Sequence, residues 1–203
     1  MTGEYCVVLR GTEDRGDGPG IVHLVARPGA AVVGEHIHPM IEERFKVISG
    51  HLSATVGNEK FELEAGEEAV VAAGVAHDWW NASDTEEAHV VVELRETVPG
   101  SDPVRFELLI GTLFGLANDG KVDRKGRPKP LQAAVIAKEF DDVVRFTKPP
   151  RPVQRVLISL LAPLGRLRGY RGAYPEYSHP HARTEPDPRA LAAAGLGPGD
   201  RKG

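Results

Sequence analysis

The first half of the chain alternates hydrophobic and polar positions in short segments that are separated by turn residues such as Ser49-Gly50. Side chains that alternate with a period of two lie on opposite faces of a β-strand, so each segment predicts a strand. The spacing leaves no room for crossover helices, which indicates an antiparallel, mainly β sandwich or barrel. The predicted strands cover residues 21–26, 31–38, 44–48, 51–56, 60–63, 69–71 and 88–95.

The second half of the chain has helical periodicity. Apolar residues in 106–116 fall on one stripe of a helix that Pro103 can begin. A second amphipathic helix is predicted over 131–146, and a third over 152–167, interrupted at Pro163. The sequence therefore predicts a β-barrel domain over 1–102, an extension of about three α-helices over 103–173, and an extended, mobile tail over 174–203.

The composition is that of an ordinary globular protein, with 41% hydrophobic residues, 27% charged residues and one cysteine. This excludes wholly disordered, collagen-like and disulfide-stapled classes. A chain of 203 residues can bury an adequate core, so a metal would need a functional reason. No apolar run approaches the ~20 residues of a membrane helix, and the first ten residues do not resemble a secretion signal. We expect a cytoplasmic protein with no membrane span.

Charge differs between the two halves. Residues 1–102 carry 7 basic and 19 acidic side chains, whereas residues 103–203 carry 18 and 10. The simplest interpretation is that the basic half docks on the acidic half, within or between chains. A nucleic-acid partner is not expected, because the basic residues are spread out and few aromatic residues lie among them.

The candidate chemistry lies in residues 34–50. His36 and His38 are two residues apart, so in a strand both imidazoles project from one face and form a two-nitrogen clamp. A carboxylate from the next strand and a third imidazole from a distant strand would complete a mixed nitrogen and oxygen set. Glu43 and His77 are the candidates for these two positions.

This segment resembles the first motif of the cupin family, G-x5-H-x-H-x3-4-E-x6-G. His36, His38, Glu43 and Gly50 fit the motif, and the leading glycine is displaced by one, to Gly29. The first three are therefore the positions that the resemblance assigns as metal ligands.

The second cupin motif, G-x5-P-x-G-x2-H-x3-N, is matched by Gly66, Gly74, His77 and Asn81. Ala72 stands where the family usually has proline, which affects only the rigidity of the turn before His77. Glu42 satisfies a shorter spacing of the first motif, but the glycine register favours its neighbour. The resemblance covers about residues 20–98.

The resemblance implies a conical antiparallel jelly-roll barrel around one divalent transition metal ion, held by His36, His38, Glu43 and His77. An open coordination position is typical of a catalytic metal, and Fe, Mn, Zn, Ni and Cu all suit such a set. We expect an enzyme that acts on a small-molecule substrate, with Glu43 also in a catalytic role. Iron would favour a dioxygenase-type oxidoreductase, and zinc a cyclase, isomerase or lyase. The alternative is a small-molecule binding or sensor module without turnover.

Other histidines lack this support. His23, His51 and His89 have no partner at ligand spacing and are assigned no chemistry. His179 and His181 repeat the H-x-H spacing, but they lie in the polar tail without a carboxylate, and no metal is expected there.

Two groups of side chains leave alternatives open. Phe45 and one of the neighbouring Trp79 and Trp80 either line a substrate pocket or pack in the core. The helical extension carries too much apolar surface to stay exposed, so we expect it to close the barrel mouth or to form a homodimer. Residues 106–116 would then cover the open end. The helix near Pro152 has arginines around an apolar body and could lie on an anionic membrane, although packing on the barrel or a second subunit is favoured.

Overall fold

The structure is a computed structural model that describes residues 4–31, 34–99, 101–178 and 185–197. Within these residues it has ten strands, four α-helices and one short 3₁₀ turn at Pro175–Tyr177. The strands are β1 Glu4–Arg10, β2 Gly20–Ala26, β3 His36–Ile37, β4 Ile41–Ser49, β5 Leu52–Val56, β6 Glu59–Leu63, β7 Glu68–Val71, β8 His77–Trp80, β9 Ala88–Glu96 and β10 Arg145–Phe146. The helices are α1 Pro103–Asn118, α2 Pro130–Glu139, α3 Arg151–Leu167 and α4 Pro188–Ala193.

The strands form two five-stranded antiparallel sheets with a jelly-roll arrangement. The first sheet has the order β1-β2-β9-β4-β7, and the second has the order β10-β3-β8-β5-β6. The prediction of a closed barrel is wrong, because the described strands form two separate sheets. At the edge of the second sheet, β3 pairs with β8 on one side and with β10, a strand from beyond α2, on the other.

The main core lies between the sheets and extends into the helices. Leu24, Val90 and Val92 point inward from the first sheet, and Phe106 of α1 and Phe140 after α2 belong to the same buried cluster. Alternate residues of β2 and β9 point to the other side of the sheet. Because Phe106 and Phe140 belong to this cluster, the helical extension packs on the sheets, and its first two helices continue the core.

The second helix ends earlier than the pattern predicts, at Glu139 instead of residue 146. Phe140 follows the helix and is fully buried. Arg105 of α1 holds the turn beyond it, since its guanidinium donates to both carboxylate oxygens of Asp142 at 2.7 Å and to the Glu139 carbonyl oxygen at 2.5 Å. These contacts favour a turn and the short strand β10 over further helix.

The third helix packs on the second through small residues. A Cβ at Gly165 would lie 2.5 Å from Val135 Cγ2 and 2.8 Å from the Leu131 carbonyl oxygen, so only glycine permits this approach of the two helices. Ala162 is also buried there. The opposite side of α3 is exposed, which differs from the expectation that the extension covers all its apolar surface.

The tail is not extended throughout. Residues 188–193 form α4, with the Asp187 side chain accepting a hydrogen bond from the Arg189 amide at 2.8 Å. Ala190 and Leu191 of α4 are buried against the outer face of the first sheet. This face is apolar, which explains why a segment rich in alanine docks there. Residues 179–184, with His179 and His181, and residues 198–203 lie outside the described part of the chain.

The two halves are joined by apolar packing more than by charge. Among the ion pairs within 4.0 Å that the described residues form, only His89–Asp187 joins residues 1–102 to the rest. The predicted domain boundaries at 102 and 173 stay predictions. Within the described residues, no helix has the length and apolar content that crossing a bilayer requires.

Candidate metal centre

Four side chains converge between the sheets. His36 lies in β3 directly opposite His77 of β8, His38 follows two residues later, and Glu43 lies in β4. Each is at most 6% exposed. One ligand atom from each lies within 4.8 Å of all the others, so the structure brings together the four residues that the sequence singles out.

The distances within the cluster are short. His36 Nε2 lies 3.1 Å from His38 Nε2. Glu43 reaches two of the histidines, with Oε2 2.9 Å from His77 Nε2 and Oε1 3.6 Å from His38 Nε2. All three imidazoles thus present the same nitrogen, Nε2, to one region.

The other nitrogen of each ring faces a backbone carbonyl. His36 Nδ1 lies 2.7 Å from the Gly34 oxygen, and His77 Nδ1 lies 3.0 Å from the Val75 oxygen. His38 Nδ1 lies 2.7 Å from the oxygen of Val143, which belongs to the turn after α2. A carbonyl can only accept, so each Nδ1 carries the hydrogen and donates it.

This pattern leaves the Nε2 atoms of the histidines, as hydrogen-bond acceptors, facing the acceptor oxygens of Glu43. With hydrogen on Nδ1, a neutral imidazole has a lone pair at Nε2, and the Glu43 carboxylate has no hydrogen to donate. His77 Nε2 and Glu43 Oε2 are buried and make no hydrogen bond of good geometry, although they are 2.9 Å apart. Unpaired buried polar atoms are costly, and a cation among them satisfies all four residues. The residues present therefore fit a metal ion.

The electrostatics of the cluster favour an ionised Glu43 and a neutral His36. Burial alone would raise the pKa of Glu43, but the surrounding histidines, His38 and His77 foremost, lower it to about 2. Burial, together with the neighbouring His38 and His77, lowers the pKa of His36 to about 4. Metal binding requires an ionised carboxylate and neutral imidazoles, as at these two residues. Burial lowers the pKa of His77, but the adjacent Glu43 carboxylate raises it above its usual value, so a proton competes with a cation for this residue.

Aromatic side chains enclose the cluster. The Phe106 ring of α1 lies 5.5 Å from the His38 ring, centroid to centroid. On another side, His77, Phe45 and Trp79 line a cavity of ≈ 10 Å³, which is the room that one water molecule needs. Phe45 and Trp79 thus belong to the core and also line this cavity, while α1 lies over the cluster.

The structure separates the two glutamates that the motif leaves open. Glu43 is buried in the cluster, whereas Glu42 is partly exposed and, as its neighbour in β4, projects from the other face. The Val143 carbonyl was missed by the sequence analysis, because a backbone acceptor 105 residues from His38 leaves no sequence signal.

A second cluster was also missed. His23, His89 and Asp187 lie together where α4 meets the first sheet, with His23 Nε2 3.2 Å from His89 Nδ1. The Asp187 carboxylate is already bound by the Arg189 guanidinium, at 2.7 Å. The Asp187 carboxylate therefore already has a partner, and the two histidines contact each other.

Residues 22–93 match the family model described as "Cupin domain". This range contains all four clustered residues. Residues 22–93 form a cupin domain. No curated protein matches the chain in sequence.

Solved structures similar to the chain cover less than half of it. One, described as a "predicted oxalate decarboxylase" from Thermotoga maritima, is 18% identical with a TM-score of 0.42 and covers 47% of this chain and 86% of its own. KdgF from Halomonas sp. is 16% identical, with a TM-score of 0.40 and coverage of 48% and 84%. A sugar phosphate isomerase from Silicibacter pomeroyi is 24% identical, with a TM-score of 0.41 and coverage of 48% and 62%.

Two further motif positions of the cupin domain have structural roles here. The Asn81 amide donates to the Ala26 carbonyl at 2.9 Å and to the Glu86 carbonyl at 2.7 Å, and so fixes the turn after β8. Gly50 has a φ of 76°, and a Cβ there would lie 2.4 Å from the Glu87 carbonyl oxygen. These residues hold the scaffold around the metal centre.

Proposed function

We propose that the cupin domain holds one divalent transition metal ion on His36, His38, Glu43 and His77 and acts on a small-molecule substrate as a metalloenzyme. One observation carries the proposal: three Nε2 atoms and a carboxylate converge, while every Nδ1 donates to a carbonyl. Three imidazoles and one carboxylate suit Fe, Mn, Zn, Ni or Cu.

Each side chain has a separate task in this proposal. The carbonyls of Gly34, Val75 and Val143 fix the orientation and tautomer of the three rings. Glu43 supplies the negative charge, and its pKa of about 2 suits a ligand more than a base near neutral pH. A metal bound here would act as a Lewis acid toward the substrate, and a redox-active one would also permit chemistry with O₂.

Access to the centre involves the helical extension. Phe106 packs against the His38 ring. The Val143 carbonyl, in the turn after α2, accepts the hydrogen bond from His38 Nδ1. We propose that a substrate reaches the cluster by displacement of this region, which then determines the size of molecule that enters. The dioxygenase-type reaction and the non-redox cyclase, isomerase or lyase reaction both remain open within this proposal.

Elemental analysis of protein purified without an affinity-metal column tests the metal centre. We expect close to one equivalent of a transition metal, lost in the His36→Ala/His77→Ala double variant and retained in His51→Ala, a control at an exposed histidine. Iron, manganese, copper or nickel would direct assays to O₂ uptake, and zinc to non-redox reactions. Protein that contains no metal and cannot be reconstituted would overturn the proposal and favour a binding module. The homodimer and the cytoplasmic location stay predictions.

A further inference from the structure

The outer face of α3 is the largest apolar feature on the described surface. Six large hydrophobic side chains of this 17-residue helix are between 44% and 84% exposed. At 3.6 residues per turn they fall within about 100° of arc and form one continuous stripe. The stripe consists of Val153, Val156, Leu157, Leu160, Leu164 and Leu167.

The segment that carries this stripe is basic, and four of its arginines already pair with Glu139, Asp141 or Glu176. Residues 143–175 include seven arginines and lysines and no aspartate or glutamate. Helical geometry places Arg168 about 20° beyond one edge of the stripe, whereas Arg166 and Arg155 lie about 80° and 100° beyond the other edge, toward α2. Among the described residues, Lys148, Arg155 and Arg168 form no ion pair within 4.0 Å, so these cations are available to an external anion.

A groove beside the helix adds to this basic character. It lies between α2 and α3, has a volume of ≈ 310 Å³ and is lined by Lys138, Arg151, Arg155 and Ser159 as well as Asp141. Arg151 and Arg145 both pair with Asp141, so the carboxylate is neutralised. Arginine and serine donors suit the phosphate of a lipid headgroup.

Other parts of this protein do not match the stripe. The longest segments outside the described residues, 179–184 and 198–203, contain no leucine, isoleucine, valine or aromatic residue. A second copy would bring two basic surfaces together if α3 paired with α3, and like charges oppose that contact. Elsewhere on the described surface the exposed large hydrophobic residues, such as Val70 and Val98, are scattered.

We infer that α3 is an interfacial helix that docks the protein on an anionic lipid bilayer, with its apolar stripe in the headgroup region. An exposed apolar stripe on a helix that also exposes arginines is the pattern of helices that lie in a membrane surface. The anionic leaflet supplies negative charge to the arginines and lysines that have no ion-pair partner among the described residues. The helix lies on the bilayer and does not cross it, which agrees with the absence of a helix able to span it in the described residues.

Co-sedimentation of the full chain with lipid vesicles tests this inference. We expect binding to phosphatidylcholine vesicles that contain phosphatidylglycerol, weak binding to phosphatidylcholine alone, and release by added salt. Leu160→Ser/Leu164→Ser should weaken binding by about 10-fold or more, because it removes apolar area from the stripe. The matched control, Val70→Ser/Val98→Ser, changes exposed apolar residues elsewhere and should leave binding unchanged.

A second pair of variants tests the charge. Arg168→Gln, at the edge of the stripe, should weaken binding to the anionic vesicles by about 5-fold. Arg27→Gln/Lys60→Gln, at exposed basic residues of the cupin domain, should have little effect. Absence of vesicle binding, or equal binding to neutral vesicles, would overturn the inference. Light scattering that shows a dimer lost in the leucine variant, without vesicle binding, would also overturn it and assign the stripe to a second copy.

Discussion

The centre of the cupin domain and the outer face of α3 depart from ordinary burial in opposite directions. At the centre, three histidines and a glutamate are almost fully buried, whereas on α3 six large apolar side chains are exposed. Buried polar groups and exposed apolar patches are the two departures from ordinary burial that carry functional information. Each region therefore indicates a missing partner, and the chemistry of each region indicates which one.

The two regions differ in how many of their groups already have partners within the protein. At the centre, carbonyls from three separate segments bind the three Nδ1 atoms, so only the converging atoms lack partners. On α3, Gly165 and Ala162 bury one side of the helix against α2 and leave the whole opposite side uncovered. A compact cation would complete the first region, as proposed, whereas the proposed partner of the second is an extended surface.

The stability of the free protein should distinguish a core leucine from a stripe leucine. Leu116, which is 1% exposed, should cost about 2–5 kcal/mol when replaced by alanine, because a cavity remains in the core. Leu160, which is 63% exposed, should change the free energy of unfolding by no more than about 0.5 kcal/mol. Urea unfolding at two protein concentrations measures both. A large, concentration-dependent cost at Leu160 would show that the stripe is buried between copies.

Adjacent glutamates should differ sharply in their effect on metal affinity. Glu43→Gln removes the anionic ligand and should weaken binding by more than about 100-fold, beyond the range typical of outer-shell partners. Glu42→Gln changes the neighbouring residue on the opposite face of β4 and should have no such effect. Competition with a chelator of known affinity gives both values. Similar losses in the two variants would argue against the ligand set.

A smaller effect is expected from the contact between α1 and the turn that holds His38. Arg105→Gln breaks the paired hydrogen bonds to Asp142 and loosens the turn whose Val143 carbonyl accepts from His38. Metal affinity should fall by up to about 10-fold, as for an outer-shell change. Arg127→Gln removes an exposed ion pair with Asp123 and serves as the control. Unchanged affinity in the first variant would mean that the turn does not position His38.

Much of the strand framework could be predicted because it depends on local alternation. The pattern located β2 to β7 and β9 approximately but gave no strand at β8, and the His and Glu spacing identified the four residues that meet at the centre. Sequence motifs record side chains at fixed separations within one or two strands. That information is enough to identify the residues of the cluster.

The remainder depends on contacts between distant segments. The strand β10 lies where a helix was predicted, and its two residues pair with β3 more than 100 positions earlier. The end of α2 at Glu139 depends on the burial of Phe140, and α4 forms where an outer sheet face has apolar residues to cover. None of these features has a local signal, because each depends on the surface that the segment meets.

The smallest predicted effect concerns pH at the junction of α4 and the first sheet. Burial lowers the pKa of His23 below its usual value of 6.5, and the adjacent His89 lowers it further; Asp187 opposes this shift and Arg189 adds to it. The unfolded chain therefore binds a proton at this residue more readily than the folded protein, so stability rises with pH here. The contribution is complete above about pH 6.5 and decreases as the pH falls below that value.

Urea unfolding of the wild type and of His23→Gln between pH 5 and pH 8 measures this contribution as a difference in slope. His36 titrates in the same direction in both proteins, so only the difference reports on His23. His51→Gln, at an exposed site, is the matched control. We expect a shallower loss of stability toward acid in His23→Gln than in the wild type. Equal slopes would mean that the pKa of His23 is not lowered by folding and that the α4 junction is insensitive to its charge.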